Sequence, residues 1–411
     1  MNTSPVSARL LDVSRLVSRA GRVPTGIDRV ELAYLREILR REAPAFGLAR
    51  TPLGFVLLDR AGLEGLEARI AGRAPWGKAD RLSRAFGKLD EAGRRAISDL
   101  RRLALARTHR AGLPRLLRSH LPEGFAYLNV GHSNINDRVF HAVRYGAKGR
   151  IVVMIHDTIP LDFPLYQTPD SVRRFGELLR KVRAGAGLVI YNSQATRESA
   201  ERHMAEWGTP PKGVVAHLGV DLAAPDAAAL PKGMPPDAPY FLTVGTIEPR
   251  KNHMLLLEIW ERLLKQTTPQ EMPHLILAGT RGWKNEELFY RMDHSGLMGE
   301  YIHEYAGLSD GAVRALLDGA AGVLFPSFAE GYGLPAIEAA AAGVPLICAD
   351  LPVYREVLKD IPVYASLKDS YLWQRRITTL ARGRQTARRT DAEAFEAPDW
   401  TQHFNKVFRL T

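Results

Sequence analysis

Two short constellations in the second half of the chain have the residue types and spacing for chemistry. Arg250 and Lys251 stand side by side in GTIEPRKN (245–252), directly after the apolar run YFLTV, and Glu330 and Glu338 are separated by seven residues in EGYGLPAIE (330–338). Open α/β sheets bind ligands outside the carboxyl ends of their strands, which is where Gly245, Thr246, Arg250 and Lys251 fall. A forked guanidinium beside a compact ammonium suits a phosphate. Cations aimed at a departing diphosphate stabilise it more as its charge grows than in the ground state. Gly331 and Gly333, flanking Tyr332, let backbone amides approach a ligand where a helix starts at Leu334, and carboxylates pair well with sugar hydroxyls. The bland alternatives are an Arg-Lys pair closing a surface turn and a glutamate pair capping a helix.

In the first half, IVVMIHDTIPL places His156 and Asp157 where an apolar strand ends. His156 can donate a hydrogen bond from its ring, and its backbone carbonyl can face developing positive charge. The alternative is a packed histidine next to an aspartate that caps a turn. Asn129, His132 and Ser133 in LNVGHSN, with Thr25 and Asp157, are placed to line the acceptor side on position alone. Ser193, after GLVIY and Asn192, equally suits a helix N-cap. In PTGIDRVELAYL (24–35), Thr25 and Gly26 precede a helical stretch reaching Arg41.

Taken in order, GTIEPRKN, RGWKNEEL (281–288) and AAGVLFPSFAEGYGLPAIEAAAAGVP resemble the retaining GT-B glycosyltransferases of family 4, glycosyl transferases group 1, in a bacterial mannosyl- or rhamnosyltransferase style. The resemblance covers nearly all of the second half and, more faintly, the first. It implies an α/β GT-B architecture of two Rossmann-like domains facing a central cleft. It implies that Arg250 and Lys251 grip the donor diphosphate, that Glu338 holds the ribose hydroxyls, and that Glu330 and His156 meet the transferred sugar. Gly26, in the loop that carries a Gly-Gly pair in the family and Thr25-Gly26 here, would lie over the donor phosphates or the acceptor. PDWTQHFNKVFRL resembles the final helix of such enzymes, which returns to the first domain, with Trp400 as its anchor. The activity implied is transfer of a hexose such as mannose or rhamnose from a GDP-, UDP- or dTDP-linked donor to a polysaccharide or lipid-linked glycan, without metal or cofactor. A sugar-nucleotide epimerase, a phosphorylase, and a non-catalytic polyanion- or glycan-binding protein are the alternatives.

The elements that must position these residues alternate in type. Strand-like runs at RLLDVSRLV, FAYLNVG (125–131), IVVMIHD (151–157) and GLVIYNS (187–193) are separated by helical stretches, and the pattern predicts a parallel sheet. An Ala-, Pro- and Asp-rich segment at 223–239 breaks the alternation and reads as a linker. Beyond it the alternation restarts through YFLTVGT, HLILAGT, YIHEYAG, GVLFPS and VPLICAD. The expected domains are 1–222 joined by about 396–411, carrying a basic helical insert at about 60–120, and 240–395.

Length and composition agree with two cores: 411 residues with 45% hydrophobic side chains exceed what one core usually holds. The opening residues lack a secretory apolar region, so a cytoplasmic protein is expected. The single cysteine, Cys348, reads as a small residue on a buried strand. Of the net charge of +11, most falls between residues 60 and 118, where thirteen arginines and two lysines face six acids. This segment is either a surface for an anionic membrane at the inner face of the cytoplasmic membrane, or a solvated helical pair. Nucleic acid is not expected, because the segment lacks interleaved aromatics for base stacking. There is no GxxxxGK[ST], no GxGxxG after the first strand, no Asp-x-Asp and no HExxH, so a P-loop ATPase, a dehydrogenase and a metal-dependent transferase of the Asp-x-Asp type are disfavoured.

Overall fold

The computed structural model describes residues 6–84, 89–383 and 395–411. Parts of the basic segment (85–88) and of the expected second domain (384–394) lie outside the described residues. The first sheet contains β1 (Arg9–Asp12), β2 (Ala45–Thr51), β3 (Gly54–Leu58), β4 (Ala106–Thr108), β5 (Ala126–Asn129), β6 (Arg150–Ile155), β7 (Leu188–Tyr191) and β8 (Gly213–Val215), in the order β4-β3-β2-β1-β5-β6-β7-β8. The second contains β9 (Tyr240–Val244), β10 (His274–Ala278), β11 (Ile302–Tyr305), β12 (Gly322–Phe325), β13 (Leu346–Ala349) and β14 (Val363–Ala365), in the order β11-β10-β9-β12-β13-β14.

Counted from β9, the second sheet has the order 3-2-1-4-5-6 and all its pairings are parallel. That is the doubly wound order, in which connections leave in opposite directions from the two central strands and open a crevice at their carboxyl ends. Its inner strands are largely apolar runs such as LICA, with Cys348 fully buried in β13, because helices cover both faces.

The first sheet corrects the expectation of a purely parallel arrangement. β3 and β4 run antiparallel to their neighbours, since Pro52 and Leu53 close a tight hairpin whose strands meet at Thr51 and Gly54. The segment expected as a helical insert therefore adds an edge strand to the sheet as well as the helices Arg60–Ile70, Arg81–Arg84, Glu91–Arg102 and Leu113–His120. Its arginines are spent largely on internal partners up to residue 102. Arg69 and Arg102 pair with Asp99 at 2.8 and 2.5 Å, Arg101 pairs with Asp80, Arg73 with Glu67, and Arg60 donates to the carbonyls of Leu39 and Ala43. Arg107, Arg110, Arg115 and Arg118 are exposed and make no ion pair among the described residues.

Between β8 and β9 the chain is irregular apart from a single turn at Ala227–Ala229. The closing helix Trp400–Phe408 packs on the first domain. Its His403 meets the Tyr34 hydroxyl at 2.8 Å, Phe404 and Phe408 stand edge-on to the Tyr34 ring, and Val220 N–H donates to the Pro398 carbonyl. No helix among the described residues is long and apolar enough to cross a membrane.

Candidate functional site

The two central strands at the switch of the second sheet, β9 and β12, deliver the two motifs. Gly245 leaves β9 with φ +132°, a region closed to other residues, and the chain then makes one turn at Pro249–Lys251. Asn252 takes a left-handed conformation at φ 54° and opens the helix His253–Gln266. From β12 the chain runs through Ser327 and Glu330 to Gly333, which at φ +87° turns into the helix Leu334–Ala341.

These two loops meet in a buried charge cluster. Glu330 accepts from Lys251 Nζ at 2.6 Å, Arg250 Nη1 at 3.0 Å and Ser327 Oγ at 2.6 Å. Arg250 also pairs with Glu248 at 2.7 Å and donates to the Ala329 carbonyl at 2.8 Å. Burial alone would raise the Glu330 pKa. The nearby charges of Lys251 and Arg250, with the hydrogen bonds of Lys251 and Ser327, outweigh it and hold this carboxyl at about 2. Glu330 is thus a fixed anion between two fixed cations.

A cavity of about 680 Å³ opens between the domains beside this cluster. Thr25, Gly26 and Arg29 line it from the first domain, and Gly245, Thr246, Arg250, Lys251, Leu334 and Glu338 from the second. Thr25 precedes the helix Gly26–Arg40 and donates its N–H to Asp28 at 2.7 Å, a cap that fixes the loop. Gly26 faces Leu334 across the gap, where an added Cβ would lie 3.5 Å from that side chain. Glu338 is largely buried, which raises its pKa. Arg29 opposes that rise and bonds Glu338 Oε1 at 2.8 Å while also pairing with Asp310.

A second cavity, of about 480 Å³, is lined by Glu330 and Asp157. Burial raises the Asp157 pKa against the opposing charge of Arg250. Gly331 closes on this region: an added Cβ would come within 3.0 Å of both Asp157 Oδ2 and the His156 carbonyl oxygen. A side chain there would press on both groups, so glycine suits this approach of the two domains.

Several expected site residues are placed elsewhere. His156 turns its ring inward, with Nε2 2.6 Å from the Val130 carbonyl oxygen, and burial pushes its pKa down to about 3. Only its backbone carbonyl, which accepts from Asn192 at 2.7 Å, faces Gly331. Asn129 is buried and donates to Tyr127 and to the Ser133 carbonyl, and it lines neither cavity. His132 bonds the Met154 carbonyl oxygen at 2.8 Å and lines neither cavity. Tyr332 is buried and donates to the Leu218 carbonyl at 3.0 Å, which makes it an interdomain contact. Ser193 caps the helix Gln194–Ala205. Thr25, expected on the acceptor side, shares the first cavity with Arg250 and Lys251.

Sequence reasoning passed over Arg29, although it stands in the quoted PTGIDRVELAYL, because its partners are Asp310 and Glu338 in the other domain. It also passed over the contacts that hold the domains together. Trp283 Nε1 donates to the Tyr166 carbonyl at 3.1 Å, Lys284 Nζ to those of Leu165 and Gln167, and Glu356 accepts from Gln194 N–H at 2.7 Å. Among the described residues, no group of three or more His, Cys, Asp or Glu side chains could hold a metal ion.

Comparison with known proteins agrees with this geometry. Residues 230–394 match the family model described as glycosyl transferases group 1. The serotype-specific mannosyltransferase WbdA of Escherichia coli is 31% identical over 229 residues, which is 52% of this chain and 27% of that protein. The O-antigen chain mannosyltransferase B of Escherichia coli is 36% identical over 130 residues, 32% of this chain and 33% of that protein. The chain thus spans about a third or less of the length of these curated relatives. Among solved structures, Anabaena Alr3699/HepE in complex with UDP-glucose aligns with a TM-score of 0.60 at 15% identity, over 98% of this chain and 100% of that one. Sucrose-phosphate synthase from Thermosynechococcus elongatus aligns with a TM-score of 0.58 at 14% identity, over 98% and 96%. The second domain is thus similar to the glycosyl transferases of group 1 over residues 230–394, and the whole chain shares the two-domain Rossmann-like GT-B fold of these solved structures.

Proposed function

We propose that this chain is a retaining, metal-independent glycosyltransferase that moves a hexose, with mannose favoured over rhamnose by its mannosyltransferase relatives, from a GDP-, UDP- or dTDP-linked donor to a polysaccharide or lipid-linked glycan of the O-antigen kind. The observation that carries the reading is the meeting of Arg250 and Lys251 on Glu330 beside an interdomain cavity at the sheet's switch point. The donor's diphosphate would take Arg250 and Lys251, its ribose Glu338, and its hexose would extend toward Glu330 and the His156 carbonyl.

In this mechanism the bond from the anomeric carbon to the phosphate oxygen breaks and an acceptor hydroxyl oxygen bonds the same face of that carbon. The hydroxyl proton passes to the departing phosphate oxygen. The protein contributes positioning and fixed charge, which act strongly in a site closed to water. No divalent ion is required, because Arg250 and Lys251 carry the diphosphate charge.

The setting proposed is the inner face of a cytoplasmic membrane. Arg107, Arg110, Arg115 and Arg118, exposed and without an ion pair among the described residues, supply charge for anionic lipid, whereas the arginines of 60–102 are mostly satisfied internally. An intact buried cluster disfavours a non-catalytic binding protein, which has no use for it.

Nuclear magnetic resonance of the product formed from GDP-mannose, UDP-glucose or a dTDP-hexose, with and without EDTA, tests the reading. One donor should yield a glycoside with the donor's anomeric configuration at a rate EDTA does not change. An inverted anomer, or loss of turnover with EDTA, overturns the mechanism.

A further inference from the structure

The second cavity has a wall that the donor site leaves unused. Phe163, Tyr166 and Phe328 form a ladder of rings that crosses from one domain to the other: Phe163 stacks on Tyr166 with centroids 6.2 Å apart and planes at 13°, and Tyr166 on Phe328 at 5.3 Å and 22°. The two outer rings, Phe163 and Phe328, line the cavity. The ladder does not end in solvent-averse packing. Phe163 is 37% exposed, Leu165 86% and Trp283 41%, and the Trp283 indole is tied to the Tyr166 carbonyl. An apolar platform thus continues from the cavity mouth along the outside of the cleft.

The charge of this cavity is equally specific. Asp162 is matched by Arg202 at 2.7 Å, and Glu330 by Lys251 and Arg250. Asp157 and Glu198 also line it, and neither makes an ion pair among the described residues. A ligand entering here meets aromatic faces and carboxylate acceptors with no spare cation. Aromatic faces stack on the C–H faces of pyranose rings and carboxylates accept from their hydroxyls, while an added phosphate or uronate would face uncompensated like charge.

We infer that this cavity is the acceptor subsite, and that it takes the terminal residue of a neutral pyranoside glycan whose next residues lie over Leu165 and Trp283. The inference rests on the transferase reading above and adds to it the place and the charge class of the acceptor. Glu330 lines this cavity and is bonded by Arg250 and Lys251, which line the first, so a hydroxyl held here lies beside the same charge cluster as the donor. A phosphorylated or acidic acceptor is rejected by Asp157 and Glu198.

Saturation-transfer difference spectroscopy on the full chain with bound nucleoside diphosphate tests this, with mannotriose as the neutral probe and mannose 6-phosphate as the charged one. Mannotriose should show transfer that falls at least fivefold in Phe163→Ala and partly in Phe163→Leu, which keeps the apolar contact with Tyr166 but removes the ring. Mannose 6-phosphate should show none. Nucleoside diphosphate binding, followed by thermal shift, should be the same in all three proteins. Mannotriose transfer absent from the wild type, or equal in wild type and variants, or matched by mannose 6-phosphate, overturns the subsite. If no nucleoside diphosphate binds the wild type, the transferase reading itself fails.

Discussion

Arg29, at the start of the first domain's helix Gly26–Arg40, bonds Glu338 of the second domain at 2.8 Å across the mouth of the cleft. The guanidinium is shared with Asp310, so its charge is already neutralised. Glu338 is the carboxylate assigned to the ribose, and Arg29 occupies it here. Removing Glu338 should cost a nucleoside diphosphate roughly tenfold in affinity, the value of about one hydrogen bond to a charged group. Arg29→Ala should stay within about threefold of wild type, because a neutralised cation lends little field and its loss frees Glu338. Isothermal titration of both variants checks the pair. An Arg29→Ala loss as large as that of Glu338→Ala would mean that Arg29 itself holds the donor.

Glu330→Gln leaves Arg250 and Lys251 buried without their shared anion. Losing one partner of a buried pair costs on the order of 3–5 kcal/mol, so the melting temperature of the free protein should drop. A bound diphosphate replaces the missing charge. The thermal shift on adding nucleoside diphosphate should therefore be larger in Glu330→Gln than in wild type, although transfer falls at least a hundredfold. An equal or smaller shift would separate Glu330 from the phosphate site.

Four histidines are buried in neutral form. Burial pushes His156 and His253 down to about 3 and His132 and His403 to about 4, from 6.5. The unfolded chain binds these protons below pH 6.5 and the folded chain does not, so stability is complete above 6.5 and falls as the pH drops toward 4. Each group contributes up to about 1.4 kcal/mol per pH unit in that window. Glu330 behaves like a depressed carboxylate: its contribution is present above 4.5 and is lost between 4.5 and about 2. Urea unfolding from pH 7 to pH 5 should show the histidine slope, and His403→Gln should flatten it. A pH-independent midpoint over that range contradicts this assignment.

The basic face is expected to bind anionic vesicles through residues 107–118. Arg115→Glu with Arg118→Glu, both exposed on the helix Leu113–His120, should reduce cosedimentation with phosphatidylserine vesicles several-fold. Arg73→Glu, in the internally paired part, should change it little by comparison. Equal binding by the two proteins would remove the membrane role from this helix.

How far the sequence carried these conclusions depended on where each partner lies. In the second domain β9, β10, β12 and β13 are largely apolar runs, and β11 (IHEY) lies between two helical periods, so order and type were legible. β14 escaped because Val363–Ala365 is three residues long and only half-buried. In the first domain the hairpin of β2 and β3 was missed, since AFGLART carries an exposed arginine and the turn at Pro52 and Leu53 lacks the usual Asn-Gly signal. Arg250, Lys251, Glu330 and Glu338 could be picked out because their loops have recognisable local patterns. Arg29 and the Phe163–Tyr166–Phe328 ladder could not, because their meaning lies in contacts between the two domains, which no local spacing encodes.

The most direct test of the account is nucleotide binding by the full chain, by thermal shift with GDP, UDP and dTDP on wild type, Lys251→Ala and Glu338→Ala. The account predicts that one of the three selectively stabilises the wild type, and that the shift is lost in Lys251→Ala and reduced, in line with a roughly tenfold weaker affinity, in Glu338→Ala. No shift with any of them at millimolar concentration, or a shift undiminished in both variants, would contradict a donor site built on Lys251 and Glu338.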